Sequence, residues 1–186
     1  HVGSLDEFIR YTRMGNAAGC ATLLDIGNSE PDINWTYENG FYIPIGTPFE
    51  LSTTATDMEE DSLSYCWEQF NLGPISELGN PINNAPAFRS YYPRPENNRV
   101  FPRWDVILAN TSSVVEVLPT TSRDMSFRCT VRDNHPGGGA AVWEQVDFFA
   151  TEEAGPFIVE APNTGSEVLE VGSYVEVLWD VANTDK

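Results

Sequence analysis

The sequence predicts an all-β fold: an immunoglobulin/cadherin-like antiparallel β-sandwich, with an N-terminal helix before it and the start of a second sandwich after it. Three observations carry that reading. Several short runs have a period of two, as where Phe49, Leu51, Thr53 and Ala55 fall on one side of an extended segment. Glycine and proline punctuate those runs at intervals suited to short strands. Helical periodicity is confined to the N-terminus.

Ser4-Leu5-Asp6-Glu7 has the form of a capping box, and Leu5, Phe8, Ile9 and Thr12 share one side of the helix it would open. Gly15 and Asn16 stop it. A lone helix of about three turns is marginal in water, so residues 1–30 read as the terminal helix and linker of a missing upstream domain. Residues 31–154 read as the sandwich. Its strands are expected around Tyr42 and Pro44, at 48–55, 63–68, 106–108, 114–118 and 125–132, and at 140–150 after the turn Gly137-Gly138-Gly139. A Pro-rich irregular stretch from 71 to 104 interrupts them, and loops of that length are usually functional or packed on a neighbour. After Gly155-Pro156 the pattern restarts. Residues 155–186 read as the first strands, at 157–160 and 174–179, of a second, truncated sandwich.

Composition narrows the function. The 186 residues carry 28 carboxylates against 10 basic residues, a formal charge of -18 and a pI near 4.2. Phosphate backbones need a cationic face, so nucleic acid is not an expected partner. Clustered carboxylates instead favour a hard cation, Ca2+ above all. No run reaches the roughly 20 apolar residues of a membrane span, and the N-terminus lacks a basic region followed by an apolar one. The expected location is secreted or cell-surface, with any leader already removed. Three cysteines, Cys20, Cys66 and Cys129, suggest one pair and one orphan, and the sequons at Asn34 and Asn110 add slight support for export.

With only His1 and His135, no two-histidine zinc motif can be built. A hydrolase triad would need His135 as base, yet that residue lies in the turn Asp133-Asn134-His135-Pro136-Gly137, and no Gly-x-Ser-x-Gly elbow exists. No catalytic residue is expected. Two loops that leave the same end of such a sandwich are acidic: Asp57, Glu59, Glu60 and Asp61 on one, Asp133 and Asn134 on the other. Asp57, Glu59, Asp61, Asp133 and Asn134 are the candidate Ca2+ ligands, the alternative being hydrophilic turns held by Asp and Asn side chains. Cys66 and Cys129 fall on strands expected to be neighbours. A bridge between them would contribute about 4 kcal/mol, and two buried free thiols are the alternative. In the Pro-rich stretch, Arg89, Arg94, Arg99 and Arg103 interleave with Tyr91 and Tyr92. Arg89, Tyr91, Tyr92, Arg94 and Arg99 are thus candidates for contact with a protein or glycan, unless the arginines pair with the acidic body and pin the loop.

The ordered motifs Tyr42-Ile43-Pro44, Thr47-Pro48-Phe49, Ala55-Thr56-Asp57, Tyr65-Cys66-Trp67-Glu68-Gln69, Phe88-Arg89-Ser90, Arg99-Val100-Phe101-Pro102, Phe127-Arg128-Cys129-Thr130-Val131-Arg132-Asp133-Asn134 and Gly155-Pro156-Phe157 resemble the region after the catalytic domain in secreted, reprolysin-like zinc metallopeptidases of bacteria. Trp179-Asp180-Val181-Ala182 resembles the start of the next β-sandwich in such proteins, and His1-Val2-Gly3-Ser4-Leu5 resembles the tail of the metzincin domain. The resemblance implies a zinc endopeptidase as the parent, with Zn2+ only in the upstream domain. Its partners would be that domain and the downstream sandwich. The expected function is then a non-catalytic accessory region that stabilises or positions the protease and binds calcium. The rival is an extracellular structural or adhesive module that self-assembles or binds proteins or glycans.

Overall fold

The computed structural model describes residues 2–20, 22 and 24–185, so His1, the first residue of the metzincin-like tail, lies outside the described residues. Strands dominate, arranged in several sheets, none of them closed. The largest is built on a long hairpin. Strands β7 (Arg123–Arg132) and β8 (Ala141–Thr151) pair antiparallel from Arg123 opposite Ala150 to Arg132 opposite Ala141, and β5 (Ser64–Gln69) adds to the free edge of β7. The opposite edge, on β8, takes β2 (Tyr42–Pro44), giving the order β2-β8-β7-β5. That last pairing is parallel, with Tyr42 opposite Phe149, which corrects the expectation of a wholly antiparallel fold. A parallel neighbour requires a long crossover, and the chain from β2 to β8 supplies it.

Three small pairings complete the architecture. β3 (Phe49–Ser52) pairs with β6 (Asn98–Phe101), β1 (Asp32–Asn34) with β4 (Thr54–Thr56), and β9 (Ile158–Ala161) with β10 (Leu178–Asp180), all antiparallel. The core fills the space between β3–β6 and one face of the large sheet. Phe101 stacks on Phe49 at 5.0 Å and meets Phe127 edge-on at 4.8 Å, while Phe127 stacks on Phe148 at 5.6 Å. Phe101 and Phe127 are fully buried, each contributing about 1.5–3 kcal/mol by area alone. Period-two alternation explains this face: Met125, Phe127, Cys129 and Val131 of β7 all point into it.

Other elements depart from the sequence expectations. Helix α1 (Val2–Arg13) begins two residues before Ser4, so that serine is no cap and Asp6 lies inside the helix. Residues 106–108 belong to a short helix, α2 (Trp104–Leu108), instead of a strand. The 114–118 run makes only an isolated bridge between Glu116 and Phe88. Residues 155–185 are joined to the rest by bonds such as Phe157 N–H to Thr47 Oγ1 and the Asn183 amide to the Glu153 carbonyl, while Gly155 N–H to the Ala182 carbonyl ties the segment to itself. There Val168, Val171, Tyr174 and Trp179 are exposed.

Candidate functional site

The two acidic loops do share one end of the molecule, and the turn that joins β7 to β8 shows what they do there. Asp133 is fully buried, and its carboxylate accepts hydrogen bonds from Ala140 N–H at 2.9 and 3.0 Å, from His135 N–H at 3.2 Å and from the Asn28 amide at 2.8 Å. Burial pushes this carboxyl's pKa up, but the bonds from Asn28, Ala140 and His135 outweigh it and hold it below the usual carboxylate range. Gly139 is what lets the backbone come this close, since a Cβ there would lie 2.6 Å from Asp133 Oδ1. Asp57 plays the same part in its own loop, its Oδ1 accepting from Glu59 N–H at 3.1 Å and Asp61 N–H at 2.9 Å.

Side chains then lace the loops together. Asp61 Oδ2 meets His135 Nδ1 at 2.5 Å, Glu59 accepts from both the N–H and the hydroxyl of Ser29, and the Asn134 amide donates to the Ser62 carbonyl at 2.7 Å. The bond to Asp61 raises the His135 pKa, aided by the charges of Asp61, Asp133 and Glu59 and opposed by partial burial. The predicted ligands therefore converge as a hydrogen-bonded clasp. Among the described residues no three His, Cys, Asp or Glu side chains stand as a ready metal cluster. Two oxygens in the clasp, Asp57 Oδ2 and Asn28 Oδ1, are buried without a hydrogen-bond partner. Asn28 and Ser29 were invisible to sequence reasoning because they lie in the stretch read as a linker. An Asp–His pair is also the orienting half of a hydrolase triad. No hydroxyl or thiol among the described residues bonds the other ring nitrogen of His135.

The expected Cys66–Cys129 disulfide is absent: both cysteines are free. Register supplies the reason. Cys66 stands opposite Thr130 and Cys129 opposite Trp67. Directly opposed residues share a face and successive residues alternate, so the two thiols point to opposite sides of the sheet. Cys129 is fully buried in the core, where burial drives its thiol pKa far up; Cys66, also raised by burial, donates to the Tyr91 carbonyl at 3.3 Å.

The Arg and Tyr stretch forms a cavity of about 420 Å3 against β5 and α2. Tyr91, Tyr92, Arg94 and Arg99 line it, whereas Arg89 borders a neighbouring depression. The arginines divide their work. Arg99 donates to the carbonyls of Trp67 and Arg89 and to Glu116 Oε1 at 2.7 Å, and its guanidinium lies 4.8 Å from the Tyr91 ring. Arg103 reaches the same Glu116 at 3.5 Å and Asp105 at 3.1 Å. Glu116 is buried, so Arg99 and Arg103 neutralise it and pin the loop. Arg94 and Tyr92 are left at the exposed mouth with Trp104 and Asp105. Glu116 escaped the sequence reading because it falls in the 114–118 run, which looks like a strand; Trp104 closes the irregular stretch whose arginines and aromatics interleave in the sequence.

A third arrangement involves the N-terminal helix. Asp6 Oδ1 accepts from Trp143 Nε1 at 2.7 Å, and Asp6 Oδ2 lies 3.2 Å from Arg128 Nη1. Arg128 is itself held between the rings of Phe70 and Trp143, at 3.5 and 3.8 Å from their centroids, and donates to Gln145 at 2.7 Å. These side chains lie on the face of the large sheet opposite the aromatic core. Phe8, Tyr11 and Met14 of the same N-terminal region remain exposed. No protein-family model and no curated protein matches the chain.

Proposed function

We propose that the chain is a non-catalytic accessory module, an immunoglobulin/cadherin-like sandwich that holds a neighbouring domain in place in a secreted or surface-bound zinc metallopeptidase. The observation that supports it is the Asp6 clamp. One side of α1 is tied to the sheet through Arg128 and Trp143, while Phe8, Tyr11 and Met14 face outward. A helix so fixed suits a joint between two domains, with its apolar side completing the neighbour's core. The motif resemblance supplies the neighbour's class, a metzincin domain carrying the Zn2+. The test compares amide hydrogen exchange of residues 5–14 in this chain and in the longest product of its gene. Exchange should slow at least about tenfold in the longer product, which should also cleave peptides in a zinc-dependent way. Unchanged exchange, or the lack of a His-Glu-x-x-His domain preceding the helix, defeats the reading.

A second proposal concerns calcium at the acidic clasp, favoured by the two partnerless buried oxygens. The donor chemistry fits at Asp57 and Asn28, each with an oxygen free of hydrogen bonds, while Glu59 and Asp61 would have to give up Ser29 and His135 to join them. It fits less well at Asp133 and Asn134, whose side chains are taken up by the turn. A bound Ca2+ would neutralise the mutual repulsion of the loop carboxylates. Raising Ca2+ to about 5 mM should lift the melting temperature, less so in Asp57→Asn; no shift removes calcium from the account.

A further inference from the structure

We infer that the cavity between β5, residues 91–105 and α2 is a binding site for a neutral glycan, an inference independent of the helix clamp. Its volume, about 420 Å3, falls within the roughly 300–1,000 Å3 of small-ligand sites. Two large rings stand open to water at its edge: Tyr92 is 92% exposed and Trp104 58%. Amphipathic aromatics left so bare provide flat apolar faces for a ligand. Beside them lie Arg94, Glu96, Asn98 and Asp105, a mixture of hydrogen-bond donors and acceptors.

Electrostatics select among ligand classes. An anionic ligand needs unpaired cations, yet Arg99 and Arg103 are paired with buried Glu116, and Arg103 with Asp105. The remaining charges of the lining, Arg94 and Glu96, are of opposite sign, and the whole chain at -18 repels anions. A purely apolar segment would strand the polar rim without partners. A neutral sugar chain satisfies both halves, its ring faces lying on Trp104 and Tyr92 and its hydroxyls serving donors and acceptors alike. The site is also preorganised. Arg99, fixed by three acceptors and stacked on Tyr91, holds the wall rigid, so little ordering cost opposes binding.

The experiment titrates the 186-residue chain with neutral hexasaccharides (cello-, laminari- and manno-oligosaccharides), with heparin- and alginate-derived hexasaccharides, and with an acidic peptide. Tryptophan fluorescence and the Trp104 indole resonance report binding. At least one neutral hexasaccharide should bind saturably and shift Trp104. Trp104→Ala combined with Tyr92→Ala should weaken it at least about tenfold, and Tyr174→Ala, an exposed aromatic position outside the cavity, less than about twofold. Both aromatic positions are exposed, so the melting temperature serves as the check on folding, and the Trp104 resonance in the unaltered chain tests the site without any variant. Binding of only the acidic sugars or the peptide overturns the assignment. So does no neutral binding up to about 10 mM, or binding that leaves Trp104 unmoved.

Discussion

Asp6 and Arg128 are separated by 122 positions in the chain, yet their side chains meet at 3.2 Å on the outer face of the large sheet. The two partners should not weigh equally. Asp6 is partly exposed, and screened pairs of that kind contribute about 1 kcal/mol or less. Arg128 also fills the slot between Phe70 and Trp143, so its removal loses stacking and packing as well. Asp6→Ala should release α1, seen as faster amide exchange over residues 5–13, while urea unfolding changes by no more than about 1 kcal/mol. Arg128→Ala should cost about 2–3 kcal/mol in the same assay.

The thiols should be indifferent to redox conditions. With Cys66 and Cys129 on opposite faces of the sheet, a reductant has no internal bridge to break. The melting temperature should be the same with and without dithiothreitol. Maleimide should label Cys20, which is exposed, in the native protein and all three cysteines only after unfolding. A reductant-dependent drop of several degrees would contradict the register.

Asp133 should be among the most sensitive positions in the β7–β8 turn. Asp133→Ala leaves the N–H groups of His135 and Ala140 without their acceptor in a half-buried turn, costing about 2 kcal/mol. Gly139→Ala should destabilise for the converse reason, by pushing a methyl group against the carboxylate. Because the folded-state pKa of Asp133 is lowered, its ionisation favours folding above the ordinary carboxylate pKa, and that contribution is lost as pH falls through the lowered value. Urea titrations between about pH 7 and pH 2 should show the wild type losing more stability than Asp133→Asn.

His135 works in the opposite sense. Its folded-state pKa is raised by Asp61, with Asp133 and Glu59 adding to the effect. The protonated form therefore favours the fold fully below the unfolded value near 6.5, and the contribution fades as pH rises through the raised value. Protonating carboxylates on a chain of -18 also relieves repulsion, so the informative quantity is the difference between wild type and His135→Gln. That difference should be largest below about pH 6 and shrink towards pH 9, as followed by melting temperature. A difference that grows with pH would refute the Asp61 contact as the cause.

Much of this architecture is written in local pattern. The β5 and β7 runs alternate cleanly, α1 shows its period, and the glycine-rich turn marks the hairpin. The convergence of the 57–61 and 133–134 loops follows from strand connectivity. What escaped was parity and brevity. Knowing that two strands are neighbours does not fix which residues oppose, and a slip of one residue reverses every side chain; the disulfide expectation failed on that single step. Val106-Ile107-Leu108 is too short for periodicity to separate helix from strand, and the helix it forms begins at Trp104, one of the rings that line the cavity. Glu116 looks like one polar residue in an apolar run, although it is buried and paired with Arg99 and Arg103 at the end of the Pro-rich loop. The arginine and tyrosine cluster was legible by composition. Its division into pinning and mouth-lining residues needed the third dimension.

The parallel seam between β2 and β8 also sets a timetable. Tyr42 meets Phe149, so a strand made early in synthesis has no sheet to join until nearly the last residue of β8 has left the ribosome. Pairings this distant along the chain are slow to close, and until then Phe41 and Tyr42 lack their ring partners Phe148 and Phe149. The large sheet is therefore completed late, at its β2 edge. A sheet edge left open that long is exposed to association with other chains, so the interval before β8 is made is the one in which this segment is most open to misassembly.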